Sequence, residues 1–344
     1  MKKYFIILFA ILGSILFLPS CNSERAAQRK ARRASKINNI TLPSVCGKAG
    51  EVLIVMDKPL WESEEGSELR GILTQDYPCL PQKEPIFTIY DTPHKAFSGS
   101  FVTHRNIIVI NVDSKFDVPL ATYRKDVWAE PQLVITLSAP NKESLSKLIV
   151  KEEEKMISAI EMAERDRIVE NVKKYRNIQT EEIAEKIFGG SPYFPQNYTI
   201  KKKSNNFLWV SSETTYVNQT ILMYSYPYTG DESFSNENII KKRNEILEVN
   251  VPGVRNNSYM ITSTMKKPVT SWIKYKNMRF AETRGLWELY GDYMGGPFVC
   301  HSFLSRDGKN VIVIEGFVYA PKYPKRNYLR YVESTLYSFH WANN

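Results

Sequence analysis

The first half of the chain alternates short β-branched apolar runs with helical patterns. Asn141 precedes a long segment whose apolar side chains recur on one side and whose charged side chains lie on the other, which predicts a capped amphipathic helix. The order strand, helix, three strands, helix indicates a two-layer α+β sandwich. The predicted strands of this half are 51–56, 86–90, 106–112 and 132–137, and the predicted helices are 61–74 and the segment that follows Asn141.

The second half predicts a longer series of strands, again mixed with helices. Gly189-Gly190 ends a short helical pattern, and Asp307-Gly308 between two apolar runs is typical of a hairpin turn. We therefore expect an α+β fold of two-layer sandwiches, mainly antiparallel, and a duplication of one unit stays open although no sequence repeat is found. The predicted helices are 180–188, 236–249 and 323–339, and the predicted strands are 207–213, 220–226, 258–264, 278–290, 298–304 and 311–319.

The N-terminus has the pattern of a secreted, lipid-anchored protein. Met1-Lys2-Lys3 is positively charged, and the apolar run from Tyr4 to Leu18 has the length of a signal peptide rather than of a membrane span. The run ends in Leu18-Pro19-Ser20-Cys21, which resembles the lipobox in which the cysteine receives a diacylglyceryl group. The alternative is a soluble secreted protein with a free Cys21 thiol, a reactive group in an oxidising compartment.

The positive charge lies mostly in the segment that follows the cysteine. The formal charge is +9, of which Lys2 and Lys3 leave with the signal peptide, and residues 22–41 account for +5 of the remainder. A nearly neutral folded part argues against nucleic-acid binding. We expect the segment to contact anionic lipid headgroups, although a merely soluble spacer is also compatible. The basic residues of this tether are Arg25, Arg29, Lys30, Arg32, Arg33 and Lys36.

These patterns divide the chain into four parts and suggest its location. We expect a signal peptide at 1–20, a lipidated tether at 21–44, and α+β units at 45–176 and 177–344. Asn22-Ser23 lacks the aspartate typical of inner-membrane retention, and the basic tether differs from the acidic signal of surface-exported lipoproteins. We therefore expect a lipid anchor in the outer membrane, facing the periplasm.

Three cysteines remain besides Cys21. Cys46 precedes the first predicted strand and Cys79 follows the first predicted helix, so a disulfide between them is conceivable in an extracytoplasmic compartment. Cys300 lies in an apolar run and is interpreted as a buried small hydrophobic residue. Their spacing fits no zinc motif, and no metal is expected.

Signatures of catalysis are scarce. The sequence lacks the common zinc-protease, serine-hydrolase, nucleotide and dinucleotide motifs, so we assign no catalytic residue and no cofactor. Cys300 and His301 are neighbours in a strand and point to opposite faces. His94 and His104 are interpreted as unpartnered surface histidines rather than as metal ligands.

Three glutamates on predicted strands, Glu282, Glu288 and Glu315, could form a carboxylate pair across a cleft. Ion pairs with Arg279 or Arg284 are the alternative.

A stretch dense in aromatic residues and glycine gives the best candidate for a binding surface. It contains Arg284-Gly285-Leu286-Trp287 and Gly295-Gly296-Pro297-Phe298, where glycine permits close approach of a ligand to the backbone. The alternative is a bulged strand and a tight turn that pack a core. The proposed surface consists of Arg284, Trp287, Tyr290, Tyr293 and Phe298.

Short segments spread over nearly the whole mature chain carry a further signal. The segments are Leu80-Pro81-Gln82, Glu84-Pro85, Arg105-Asn106, Trp128-Ala129, Pro131-Gln132, Pro252-Gly253, Tyr259-Met260, Arg284-Gly285-Leu286-Trp287, Gly295-Gly296-Pro297-Phe298, Gly316-Phe317-Val318-Tyr319-Ala320-Pro321 and Lys325-Arg326. Together they resemble an uncharacterised lipoprotein family of the Bacteroidota. The resemblance implies lipidation and supplies no activity. We expect a binding or scaffold module for an envelope protein complex or a glycan, with an envelope hydrolase as the alternative.

Overall fold

The computed structural model describes residues 41–342. The predicted signal peptide, Cys21 and the tether as far as residue 40 lie outside the described residues. Residues from Ser44 onward form one compact unit. No helix within 41–342 is long and apolar enough to cross a membrane.

Within residues 41–342 six α-helices lie between the strands, and the long one begins where the sequence predicts it. The side chain of Asn141 accepts a hydrogen bond from the backbone N–H of Ser144 at 2.9 Å, so the cap is confirmed. The helices are α1 (Lys58–Trp61), α2 (Glu64–Leu73), α3 (Lys142–Lys174), α4 (Ile178–Phe188), α5 (Asn236–Asn250) and α6 (Arg326–Leu336).

The first sheet has five strands in the order β2-β1-β3-β5-β4. Strands β1, β2, β3 and β5 pair in parallel, and only β4 is antiparallel to its neighbour. The expected mainly antiparallel pairing does not describe this sheet, because β1 reaches its neighbour β2 through two helices and β3 reaches its neighbour β5 through β4, and both crossovers return the chain in parallel. Its strands are β1 (Glu51–Val55), β2 (Thr88–Thr92), β3 (Asn106–Val112), β4 (Leu120–Lys125) and β5 (Leu133–Ala139).

The second sheet has eight strands and is antiparallel throughout. Its strand order is β10-β12-β13-β14-β9-β8-β7, with β11 paired to β12, while β6 and β15 pair with each other. The strands are β6 (Gly190–Ser191), β7 (Thr199–Lys203), β8 (Phe207–Glu213), β9 (Asn218–Pro227), β10 (Tyr259–Thr262), β11 (Val269–Tyr275), β12 (Met278–Tyr290), β13 (Gly295–Leu304), β14 (Asn310–Tyr319) and β15 (His340–Trp341).

The α+β class is confirmed, but the two halves do not share one topology. The first sheet has five strands that pair mostly in parallel, whereas the second has eight antiparallel strands, most of them joined by hairpins. The duplication left open by the sequence is therefore wrong. The predicted boundary at 176/177 falls in the connection between α3 and α4.

A single large core contains residues from both sheets. Ile54 and Ile108 of the first sheet belong to the same buried cluster as Ile312 of the second and Val332 of α6. A second core lies on the other face of the eight-stranded sheet, where α5 covers it. The eight-stranded sheet is therefore buried on both faces, and its side chains alternate between two cores.

Candidate functional site

An open crevice of about 430 Å³ lies where β12 turns into β13. We call it the hairpin pocket, and its walls come from the β12–β13 hairpin, from Pro81-Gln82, from the loop after β10, and from the connection between β14 and α6. Its lining includes Pro81, Gln82, Ser263, Met265, Trp287, Glu288, Asp292, Tyr293, Gly295, Gly296, Tyr319, Pro321 and Lys325.

Glycine is required in the pocket wall by close approach of the backbone. A Cβ atom on Gly296 would lie 2.0 Å from the carbonyl oxygen of Val318. The same carbonyl accepts a hydrogen bond from the indole Nε1 of Trp287 at 3.3 Å. The start of β13 and the end of β14 can therefore meet only because residue 296 has no side chain.

Residues that carry the resemblance meet at this pocket although they are far apart in the sequence. Pro81 and Gln82 come from the first half, and Trp287, Gly296 and Lys325 from the second. The ammonium group of Lys325 donates a hydrogen bond to the Gln82 side-chain oxygen at 2.8 Å, and its backbone N–H donates to Glu84 Oε1 at 2.6 Å. These contacts fix the wall formed by the two halves.

The predicted binding surface does not exist as one face. Trp287 is 3% exposed and Phe298 is fully buried, and both belong to the core beneath α5. Tyr290 stacks on Tyr259 at 5.1 Å between ring centroids and lies outside the pocket lining. Tyr293 is 93% exposed at the pocket. The core interpretation therefore holds for Trp287 and Phe298, because their strand positions point into the second core.

Arg284 belongs to a buried ionic cluster rather than to a surface. Its guanidinium donates to Glu282 Oε1 at 2.8 Å and to Glu333 Oε1 of α6 at 2.6 Å. His301 Nε2 lies 3.2 Å from Glu282, and the hydroxyl of Tyr337 donates to the same carboxylate. Burial opposes ionisation of Glu282, but Arg284 and His301 outweigh it and hold its pKa far below the usual range. The cluster fixes α6 on the sheet.

The three candidate glutamates do not converge on one cleft. In the register, Glu282 lies opposite His301 and Glu315 lies opposite Cys300, so their side chains point to opposite faces of the sheet. Glu315 is fully buried and paired with Arg243. Only Glu288 lines the hairpin pocket, where it accepts a hydrogen bond from Ser263 Oγ at 2.7 Å.

The expected disulfide between Cys46 and Cys79 is absent, and both thiols are free. Cys46 is exposed. Its thiol lies beside Thr103, and its backbone forms an isolated β-bridge with the backbone of His104. Cys79 is half-buried. Burial raises the pKa of its thiol, and the positive charges of Arg284 and Lys266 oppose this rise. The two residues therefore lie in different surroundings. Cys300 is free and fully buried, as predicted.

The histidines His94 and His104 are not unpartnered. His94 lies between Asp57 and Asn111. His104 is 9% exposed, and its Nδ1 lies 3.1 Å from the carbonyl oxygen of Asn106. Within residues 41–342 no three His, Cys, Asp or Glu side chains are placed to hold a metal ion.

Several residues of the hairpin pocket carry no signal in the sequence. Met265 follows a short strand, and Asp292 lies in a turn, where it accepts a hydrogen bond from the backbone N–H of Tyr293 at 2.7 Å. Each is an ordinary loop residue in the sequence, and in the structure both line the pocket together with Tyr293 and Glu288. The glycine pair 295–296 is the feature of the sequence that indicated this pocket.

Two family models match consecutive segments of the chain. A domain of unknown function (DUF8532) matches residues 45–173, and a second domain of unknown function (DUF4837) matches residues 177–338. No curated protein matches the chain. The expected resemblance to uncharacterised domains is confirmed, whereas its assignment to lipoproteins of the Bacteroidota stays a prediction.

Proposed function

We propose a function from the chain's own geometry, because the two models that match it describe domains of unknown function. The protein is an envelope lipoprotein, anchored by acylated Cys21, that binds a segment of an envelope protein in the hairpin pocket. The observation that carries this proposal is the meeting of distant segments at one open crevice, with Gln82 and Lys325 joined across it.

The anchor part of the proposal rests on the first forty residues. The lipobox-like Leu18-Pro19-Ser20-Cys21 and the basic tether favour attachment to anionic lipid. Intact mass measurement of the mature protein tests this part, since we expect an N-terminal Cys21 carrying diacylglyceryl and acyl groups. A Cys21→Ala protein that stays in the outer-membrane fraction at wild-type level would contradict the anchor.

The lining of the pocket favours a peptide segment over a glycan. Met265 is 77% exposed beside the 93% exposed Tyr293, and flexible methionine with a rigid tyrosine ring suits varied apolar side chains. Asp292 lies 3.6 Å from Arg255 and Lys325 is bonded to Gln82, which leaves the Glu288 carboxylate at the same pocket for a ligand. We therefore expect the bound segment to carry a basic side chain next to an apolar one.

The envelope hydrolase remains the second candidate function, and Glu288 is its candidate acid or base. Glu282 and Glu315 are occupied by buried ion pairs with Arg284 and Arg243. Turnover of an envelope polymer that Glu288→Gln abolishes would favour catalysis over binding.

A photo-reactive amino acid at position 265 tests the binding proposal in intact cells. Met162 is the matched control, because it is an exposed methionine on α3, away from the pocket. We expect a discrete protein adduct from position 265 and none of the same mass from position 162. No adduct at 265, or the same adduct at both positions, would overturn the proposal, and a glycan adduct would reassign the ligand.

A further inference from the structure

A second crevice, of about 550 Å³, opens at the carboxyl edge of the five-stranded sheet. The chain that leaves β1 continues through α1 and α2 to β2, on one side, whereas the chain that leaves β3 continues to β4 and β5, on the other. Open α/β sheets bind ligands in the crevice where the connections diverge in this way. The volume lies within the range of ligand pockets, about 300–1,000 Å³. We call this site the switch-point crevice.

A chain of polar contacts crosses the ends of the parallel strands at this crevice. Nδ1 of His94, which follows β2, lies 3.4 Å from Oδ1 of Asp57, which follows β1. Nε2 of His94 lies 3.2 Å from the side-chain oxygen of Asn111 in β3. The Asn111 amide nitrogen in turn donates to Ser138 Oγ of β5 at 3.4 Å. Each side chain in this series of contacts is thus held in position by a side chain on or after a neighbouring strand.

This arrangement favours binding over proton transfer. Both ring nitrogens of His94 face oxygen acceptors, and its backbone N–H also donates to Asp57 Oδ1 at 3.2 Å. A ring whose two nitrogens both lie next to oxygen atoms of neighbouring side chains would have to leave these partners to act as a base. Rigidly held polar groups of this kind lower the entropic cost of binding a ligand.

The charges that line the crevice balance. The lining contains two carboxylates, Asp57 and Asp113, and two ammonium groups, Lys115 and Lys142. The Lys115 ammonium forms an ion pair with the Asp113 carboxylate at 2.8 Å. A net anion or cation gains little from a balanced lining, whereas a hydroxyl group both donates to a carboxylate and accepts from an ammonium group. The phenyl ring of Phe116 supplies an apolar surface at the same crevice.

We infer that the switch-point crevice binds a small neutral saccharide, of one or two sugar rings. The sugar hydroxyls pair with Asp57, Asn111 and the lysines, and the apolar face of a ring packs on Phe116. This site is separate from the hairpin pocket, and the inference does not rest on the function proposed for that pocket.

Ligand-observed NMR with the full mature chain tests the inference. The chain is kept in a detergent that has no sugar headgroup, and the probes are glucose, galactose, mannose and N-acetylglucosamine, each as monosaccharide and disaccharide, with inorganic phosphate as the charged comparison. We expect saturation transfer to at least one sugar. Its affinity should change little with salt, because the ligand is neutral.

The decisive variant is Asp57→Asn, with Asp117→Asn as its control. Both aspartates are exposed. Asp117 directly follows Phe116 of the crevice lining but does not itself line the crevice. Hydrogen bonds to charged groups are stronger than those to neutral groups, so we expect Asp57→Asn to weaken sugar binding about tenfold or more and Asp117→Asn to leave it unchanged. Binding of none of the sugars, equal affinity in both variants, or salt-sensitive binding of phosphate alone would overturn the inference.

Discussion

The guanidinium of Arg243 and the carboxylate of Glu315 form an ion pair of 2.7 Å in which both side chains are fully buried. Arg243 reaches from α5 into the second core, where Phe298 lies 3.9 Å beneath its guanidinium. The hydroxyl of Thr262 accepts a further hydrogen bond from the same guanidinium at 2.9 Å. This pair explains why Phe298 and Glu315 serve the core and not a binding surface.

We expect Arg243→Met to destabilise the protein by about 3–5 kcal/mol, because it leaves the Glu315 carboxylate buried without its partner. Urea unfolding of the chain from residue 21, with Cys21→Ser, measures the change. Lys242→Met is the control, since Lys242 pairs with Glu245 on the exposed side of α5 and should cost at most about 1 kcal/mol. Equal losses for both variants would contradict the buried pair.

Glu181 makes the stability depend on pH. Burial raises the pKa of its carboxyl to about 7, and Arg176 opposes the shift. The folded state keeps this proton at pH values where the unfolded state, with its ordinary pKa of 4.5, has released it. Stability therefore falls as pH rises from about 4.5 to 7. The full pKa difference corresponds to about 3 kcal/mol, of which we expect roughly 1–2 kcal/mol because solvent partly screens the carboxyl.

The variant Glu181→Gln should remove this fall, as measured by urea midpoints across the same pH range. Glu182→Gln, at the exposed neighbouring position, should keep it. A wild-type curve parallel to that of Glu181→Gln would show that Glu181 titrates normally.

The thiols should react in the order of their burial. Alkylation of the native protein should modify exposed Cys46 first and half-buried Cys79 more slowly. Cys300 should react only on unfolding, because it is fully buried and burial raises the pKa of its thiol to about 12. Mass spectrometry of unreduced peptides provides the check, and a linked Cys46–Cys79 peptide from the native protein would refute the free thiols.

Two glycines should respond to alanine in opposite directions. Gly296→Ala places a methyl group against the Val318 carbonyl and should cost about 1–3 kcal/mol. Gly71 is exposed in the interior of α2 with open space at its Cβ position, so Gly71→Ala should stabilise by about 0.5–1 kcal/mol. Thermal unfolding distinguishes the two signs. A neutral Gly296→Ala would mean that the two strand ends are not in contact.

The sequence predicts the buried strands well and the edge strands poorly. The runs 106–112, 207–213 and 278–290 coincide with β3, β8 and β12, because their apolar content marks them clearly. Strand β7 was not predicted, since Thr199–Lys203 is largely lysine and lies at the edge of its sheet. Edge strands keep polar side chains in water, so their pattern resembles that of a loop.

The candidate site was predicted in part. The glycine pair 295–296 and Tyr293 were singled out, and both line the hairpin pocket. Trp287 is also among the lining residues, but it is 3% exposed and packs in the second core, because sequence alone does not fix which face of a strand is buried when both are apolar. The contact of Gln82 with Lys325 joins residues some 240 positions apart, and no local pattern predicts it.

The most direct test of the proposed function compares two exposed tyrosines of one hairpin. Tyr293 lines the hairpin pocket, and Tyr290 stacks on Tyr259 outside it. With the photo-reactive group at position 265, we predict that Tyr293→Ala lowers the yield of the partner adduct about tenfold or more, the effect of losing a tyrosine anchor, and that Tyr290→Ala leaves it unchanged. An adduct yield that is unaffected by Tyr293→Ala, or lowered equally by both variants, would contradict binding in the hairpin pocket.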